Sequence, residues 1–178
     1  MSRVEYDTTN WVESDIYIFD AIVEAEEQAI STAQAIVDQY WIKFDSANRT
    51  VINNKKAGQD PKRKTAVLAP VLERGKSTGR RINRLVWQVF GTKGYQRANR
   101  GAGKRVAYGR GDYEYTYNPN TLLKHSVGWD AQSIIEAEAK LEPIRLTLKN
   151  YQRLLVSMAA KYRRIDRLTL KREKRYGE

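Results

Sequence analysis

Two stretches of this chain place an apolar residue at every third or fourth position, and nothing else in it constrains the fold as strongly. In the first, Ile16, Phe19, Val23, Glu26, Ile30, Ala33, Val37, Tyr40 and Phe44 follow one another at alternating spacings of three and four, with only Glu26 out of character. That period is the apolar stripe of an amphipathic helix, predicted over about Ser14 to Phe44 with Ser14 as its N-cap. Ile18, Ile22, Ala29 and Ile36 widen the stripe, which implies more than one packing neighbour. In the second stretch, Ile134, Ala137, Leu141, Ile144, Leu148, Tyr151, Leu155, Met158, Tyr162 and Ile165 keep the alternation without a miss. Asn118-Pro119 ahead of it suits a helix start, because proline is tolerated in the first turn. Pro143 lies inside the pattern and removes a backbone donor, so a kink or a split is expected near Glu142. The segment ends KYRRIDRLTLKREKRYGE, and its cations suit the negative end of a helix dipole.

Between the helices the period changes. Residues 46–66 read as a loop, and VLAPVL and INRLVWQVF, joined by GKSTG, read as a β-hairpin with Leu85, Trp87 and Val89 on one face. Alternation with Leu85 and Val89 directs Trp87 toward the core rather than toward a ligand. RVAY at 105–108 is a third strand candidate, and DYEYTY at 112–117 a fourth, with Tyr113, Tyr115 and Tyr117 on one side. The fold class expected is therefore α+β: a hairpin of two long heptad-patterned helices with a small basic antiparallel β-module inserted between them. The expected parts are an acidic helix over 1–54, a Gly/Arg-rich β-module over 55–117 and a long helix with a basic end over 118–178. Together they make one composite domain. Such stripes pack two antiparallel helices within a chain, or the same stripes of two copies, which leaves a homodimer as an alternative.

Charge is distributed as unevenly as period. The chain carries +11 in all, with −7 over residues 1–54, +14 over 55–110 and +4 over 111–178. A basic excess confined to the middle third implies an anionic partner met there. Residues 91–111, GTKGYQRANRGAGKRVAYGRG, hold six glycines, six Lys or Arg and no acid. Glycines let backbone amides approach phosphate, and arginine bonds phosphate or guanine with two donors at once. Tyrosines such as Tyr95 and Tyr108 among these cations suit stacking on unpaired bases. The DNA contacts expected are Arg80, Arg81, Arg84, Lys93, Arg97, Arg100, Lys104, Arg105 and Arg110. Lys171, Arg172, Lys174 and Arg175 form a second, weaker basic patch. The 91–111 segment is expected to be a loop that orders fully on its ligand.

Catalytic chemistry finds few of its parts. There is one histidine, His125, and no cysteine, so histidine- or thiolate-based metal sites and thiol nucleophiles are out of reach. His125 reads as a surface or capping residue. Glu24, Glu26 and Glu27 diverge around a helix and read as a solvated face rather than a metal site. RGKST at 74–78 fails as a phosphate loop, since Pro70 stands where the first glycine is needed and no helix follows Ser77. No enzyme activity, metal or cofactor is expected. The N-terminus lacks the form of a signal peptide and no run spans a membrane, so the expectation is a cytoplasmic protein without a membrane partner.

The layout resembles the MobI-type auxiliary proteins of conjugative elements. The resemblance lies in the acidic first helix ending YWIKF, in INRLVWQVF, and in YTYNPNTLLKHSVGWDAQSIIEAEAKLEPIR, and it covers about two thirds of the chain. It implies a cytoplasmic protein needed for DNA transfer from plasmids and similar elements, acting at the origin of transfer beside a separate relaxase. The family offers no catalytic residues to carry over. The reading is a non-enzymatic protein that binds double-stranded DNA. The alternatives are a structural assembly protein that oligomerises through its helices, and an RNA-binding protein.

Overall fold

The computed structural model describes residues 8–77, 80–91, 103–108 and 115–176, with the backbone alone described at 75–77, 80–82 and 176. Helix α1 spans Glu13–Lys56, and strands β1 (Leu68–Ser77), β2 (Arg80–Val89) and β3 (Lys104–Arg105) follow. A short α2 (Pro119–Leu123) then leads to α3 (Ala131–Tyr176). The strands form one antiparallel sheet in the order β1-β2-β3, with Leu68 opposite Val89 and Ser77 opposite Arg80 in the hairpin. This is the α+β architecture expected.

The two long helices run antiparallel, as their cross-links show. Val12 N–H donates to the Tyr162 hydroxyl at 3.1 Å, Lys161 Nζ reaches Asp15 at 2.6 Å, and Gln152 Nε2 reaches Glu26 at 3.5 Å. Position rises along α1 as it falls along α3. Phe19, Ile30, Ala33, Val37 and Phe44 on α1 and Leu141, Leu148, Leu155 and Tyr162 on α3 are buried, along the stripes read from the sequence. The start of α1 departs from the expectation. Its N-cap is Val12, with no side-chain cap, rather than Ser14. Tertiary contacts hold this end instead: the Trp11 ring stacks on Tyr162 at 4.3 Å and meets Phe19 edge-on at 5.0 Å. Asp15 accepts from both Lys161 and Tyr162, and these bonds hold its carboxyl below the usual range.

The other end of α1 also differs. The helix continues through Lys56, across residues expected to form a loop. The stripe in fact continues beyond Phe44 at Asn48 and Val51, both buried, with Asn48 fully enclosed. Asn48 Oδ1 accepts from the Ala66 N–H at 2.8 Å and its Nδ2 donates to the Ala66 carbonyl at 3.0 Å. A polar residue carries the apolar period onward because it has a backbone to bind.

Of the kink or split expected at Pro143, the split does not occur. Helix α3 is continuous from Ala131 to Tyr176. Pro143 and Ala139, whose carbonyl loses its donor, both lie on the exposed side, where solvent can serve that carbonyl. Beyond Tyr162 the helix outruns α1, which leaves Ile165, Leu168 and Leu170 exposed. The apolar stripe read there has no α1 opposite it.

The hairpin is buried on both faces at its centre. Leu85 and Trp87 are enclosed as expected, but so are Val86 and Gln88, while Val89 is half-buried. Its two edges are closed mostly by side chains. On the β1 edge, the Tyr40 hydroxyl donates to the Leu68 carbonyl at 3.0 Å and Trp41 Nε1 to the Pro70 carbonyl at 2.8 Å. Pro70, lacking a donor, sits on this edge at no cost to the ladder. On the β2 edge, Trp87 N–H donates to the Tyr117 hydroxyl at 3.1 Å. There the Leu85 carbonyl accepts from Tyr108 at 3.1 Å and from Arg145 Nε at 3.0 Å, and the Asn83 carbonyl accepts from Gln152 at 3.0 Å. With those groups occupied, β3 pairs only at Gln88↔Arg105 and Val89↔Lys104, shorter than the RVAY strand expected. The fourth strand does not form among its described residues, 115–117. Tyr115 has φ 70°, a left-handed conformation that breaks strand alternation.

β3 reaches the sheet only because residue 103 is glycine. A Cβ there would lie 2.8 Å from Gln88 Oε1, 2.9 Å from Gln88 Cβ and 3.0 Å from Phe90 Cε1. Gly103→Ala is expected to cost roughly 1–3 kcal/mol, as overpacking does. Thermal unfolding checks it, and an unchanged midpoint would mean that the strand shifts freely.

Candidate nucleic-acid interface

The β2 edge and α3 do not close completely. Between them lies a cleft of about 460 Å³. Its floor is apolar, from Leu85, Val86, Val106 and Leu148, and its walls carry Arg84, Arg105, Tyr108, Tyr115, Arg145 and Lys149. Local sequence explains each placement. Arg84 alternates with buried Asn83 and Leu85 on β2 and so emerges exposed. Arg145, Lys149 and Arg153 recur four residues apart on α3 and share one helix face. Tyr108 and Tyr117 are drawn in by their hydroxyl bonds to β2, and burial pushes both phenols up, so each stays protonated.

The rings and cations interleave. Tyr108 meets Tyr115 at 6.0 Å and Tyr117 at 4.8 Å between centroids. Lys149 Nζ lies 4.2 Å from the Tyr115 centroid, with the Arg153 guanidinium 5.7 Å away. Arg145 sits 4.7 Å from the Tyr117 ring. Such cation–π contacts hold long side chains in place without neutralising them.

The cations of this region fall into two groups. Arg145 is buried and fully engaged: it forms two 2.8 Å bonds to Glu138 besides its bond to Leu85. Glu138 also accepts from Trp87 Nε1 at 2.7 Å. Arg105 is paired with Glu73 at 2.5 Å, and Gln88 donates to the same carboxylate at 2.7 Å. Glu26, expected on a solvated face, is buried and accepts from Asn83 at 3.3 Å as well as from Gln152. The carboxylates bonded to the cleft walls are thus engaged inside the protein. Arg84, Lys104 and Arg153 stand exposed at the surface, and Lys149 is half-buried with its ammonium over the Tyr115 ring.

The sequence-predicted contact residues separate accordingly. Arg84 and Arg105 line the cleft, and Lys104 lies beside it on β3. Arg80 and Arg81 open β2, paired with Ser77 and Lys76, and only their backbone is described. Lys93, Arg97, Arg100 and Arg110 lie outside the described residues, as does most of the 91–111 segment. Lys171, Arg172, Lys174 and Arg175 are exposed near the far end of α3. At 1.5 Å per residue they are roughly 33 Å along the axis from Lys149, so they belong to a separate surface. Sequence reasoning missed Arg145, Lys149 and Arg153, which fall among the many polar residues of a long helix. Their common spacing beside the apolar stripe was the available signal. His125 is half-buried after α2, its N–H donating to the Leu122 carbonyl at 3.0 Å. Among the described residues no three His, Cys, Asp or Glu gather as a metal site, and no helix is long and apolar enough to cross a membrane.

The family model described as "MobI protein" matches residues 29–159. That span holds most of α1, the whole sheet, α2 and every cleft residue named above. No curated protein and no solved structure matches the chain. Matched over far more than half of its length, with the helix–sheet–helix layout intact, this chain belongs to the MobI family of mobilisation proteins, which serve conjugative transfer.

Proposed function

We propose that this mobilisation protein acts by binding DNA, as a non-enzymatic auxiliary at the origin of transfer beside a separate relaxase. The observation that carries the reading is the sorting of charge around the β2–α3 cleft. Glu26 and Glu138 are buried and bonded within the protein and Glu73 is taken up by Arg105 and Gln88, while Arg84, Lys104 and Arg153 are exposed and Lys149 is half-buried at the cleft wall. Cations presented together on a rigid sheet and helix meet phosphates with little ordering cost. In this reading the cutting of DNA falls to the relaxase, and the chain's single histidine and lack of cysteine agree with that division.

The first test is recovery of fragments of the protein's own replicon at physiological salt, followed by sequencing. Enrichment of the origin of transfer supports the reading; recovery of nothing refutes it. A sharper test concerns the turn end of the hairpin. Arg80/Arg81/Arg84→Ala is expected to weaken DNA binding at least tenfold. It should also flatten the log–log salt slope by about 2.7, near 0.9 for each phosphate no longer neutralised. The helical circular-dichroism signal should not move. Unchanged binding in this variant places the surface elsewhere.

Exposed Ile165, Leu168 and Leu170 on the free end of α3 favour a second reading, assembly through the helices. Light scattering decides it: a large oligomer indifferent to DNA supports assembly.

A further inference from the structure

Phosphate binding needs only a surface, and this protein has a cleft as well. At about 460 Å³ it falls within the range of roughly 300–1,000 Å³ that small-ligand sites occupy. The shape excludes a duplex, whose bases are paired and stacked, but admits one base that has left its stack. Its chemistry is that of a nucleotide: an apolar floor of Leu85, Val106 and Leu148, the rings of Tyr108 and Tyr115, and the cations Arg84 and Lys149 on opposite walls. Tyr115 stands out within this set. A bulky aromatic residue at φ 70° is strained, and such conformations persist where the surroundings hold them. Here Lys149 and Arg153 lie against the ring, which is half-buried at the cleft wall.

Resting on the DNA-binding reading, we propose that the β2–α3 cleft receives one unpaired nucleotide of single-stranded DNA. The base lies against Tyr108 and Tyr115, and the phosphate is held between Arg84 and Lys149. The protein then recognises locally opened DNA through the cleft and flanking duplex through its outer cations. Sequence-tolerant stacking on aromatic rings beside a cationic track is the usual physical basis of single-strand binding.

Two variants test the cleft without threatening the fold. Tyr115→Gly removes the ring at a backbone conformation that glycine adopts freely. Ala107→Trp adds an indole at an exposed position on the cleft's rim, where it should obstruct entry. Binding is read by fluorescence anisotropy with three labelled DNAs: a fully paired duplex, the same duplex with a central mismatched bubble, and one of its single strands. The native protein should prefer the bubble to the duplex. Each variant should bind the bubble and the single strand at least about tenfold more weakly, the scale of a single base–ring stack, with a much smaller loss on the duplex. Bromodeoxyuridine in the bubble should photocrosslink to Tyr108 or Tyr115 in the native protein. Equal affinity of native protein and variants for the bubble overturns the proposal while leaving duplex binding standing. Equal weakening on all three DNAs also overturns it, since the residues would then be structural. Tighter binding of the matching RNA strand overturns the assignment to DNA. Failure of the native protein to bind any of the three overturns the DNA-binding reading, and the cleft proposal with it.

Discussion

Glu138→Ala should lower stability by about 3–5 kcal/mol, the largest effect expected of any single substitution in the described structure. Glu138 and Arg145 are 5% and 4% exposed, so neither charge has water to fall back on once its partner is gone. The carboxylate binds the guanidinium through two bonds of 2.8 Å and accepts the Trp87 indole N–H at 2.7 Å. Its removal strands a buried cation and a buried donor together and leaves a cavity beside Trp87. Urea unfolding followed by Trp fluorescence measures the loss directly. The cost lies in the orphaned charge rather than in any large net worth of the pair, so the double variant Glu138→Leu/Arg145→Met should recover most of the stability. If the double variant is as unstable as Glu138→Ala, the cost lies in the lost hydrogen bonds, the Trp87 indole donor above all, rather than in the orphaned charge.

Asn48→Leu comes second, at roughly 2–4 kcal/mol, because it orphans both the N–H and the carbonyl of Ala66 in a buried site. Leucine fills the space that asparagine leaves, so packing contributes little to the cost. The local readout is amide hydrogen exchange at Ala66, expected to quicken well before the helices open. An Ala66 amide as slow in the variant as in the native protein would mean that the backbone finds another partner. The two substitutions probe opposite edges of one hairpin, Asn48 at the β1 side and Glu138 through Arg145 at the β2 side. Their effects should therefore add.

The helical hairpin was legible because a 3/4 apolar period needs only local geometry to be read. The β-hairpin was legible for the same reason, from Leu68 to Val89, but β1 runs on through Gly75, Lys76 and Ser77, residues expected in the turn. What misled were polar residues on apolar stripes. Asn48 was read as part of a loop and Glu26 as a solvated face; both are buried and bonded. Pro143 does not split α3, because the carbonyl it leaves without a donor lies on the side that faces solvent. The cleft was half legible. Arg84 and Arg105 were named from charge, and Tyr108 from its place among cations. Lys149 and Arg153 were hidden in the polar face of a helix that gives no hint of what lies opposite.

Periodicity and the run of charge belong to neighbours along the chain, so the sequence alone determines both long helices, the hairpin and the basic middle. Whether a polar side chain is buried or bathed depends on which strand edge the folded chain brings against it. Glu26, Asn48, Glu138 and Arg145 acquire their meaning only when the sheet is laid between the helices, because a buried polar group is tolerable only where a partner waits. The cleft belongs to the same class of fact: it is the gap left where Tyr108, Arg145 and Gln152 close the β2 edge in place of a full third strand.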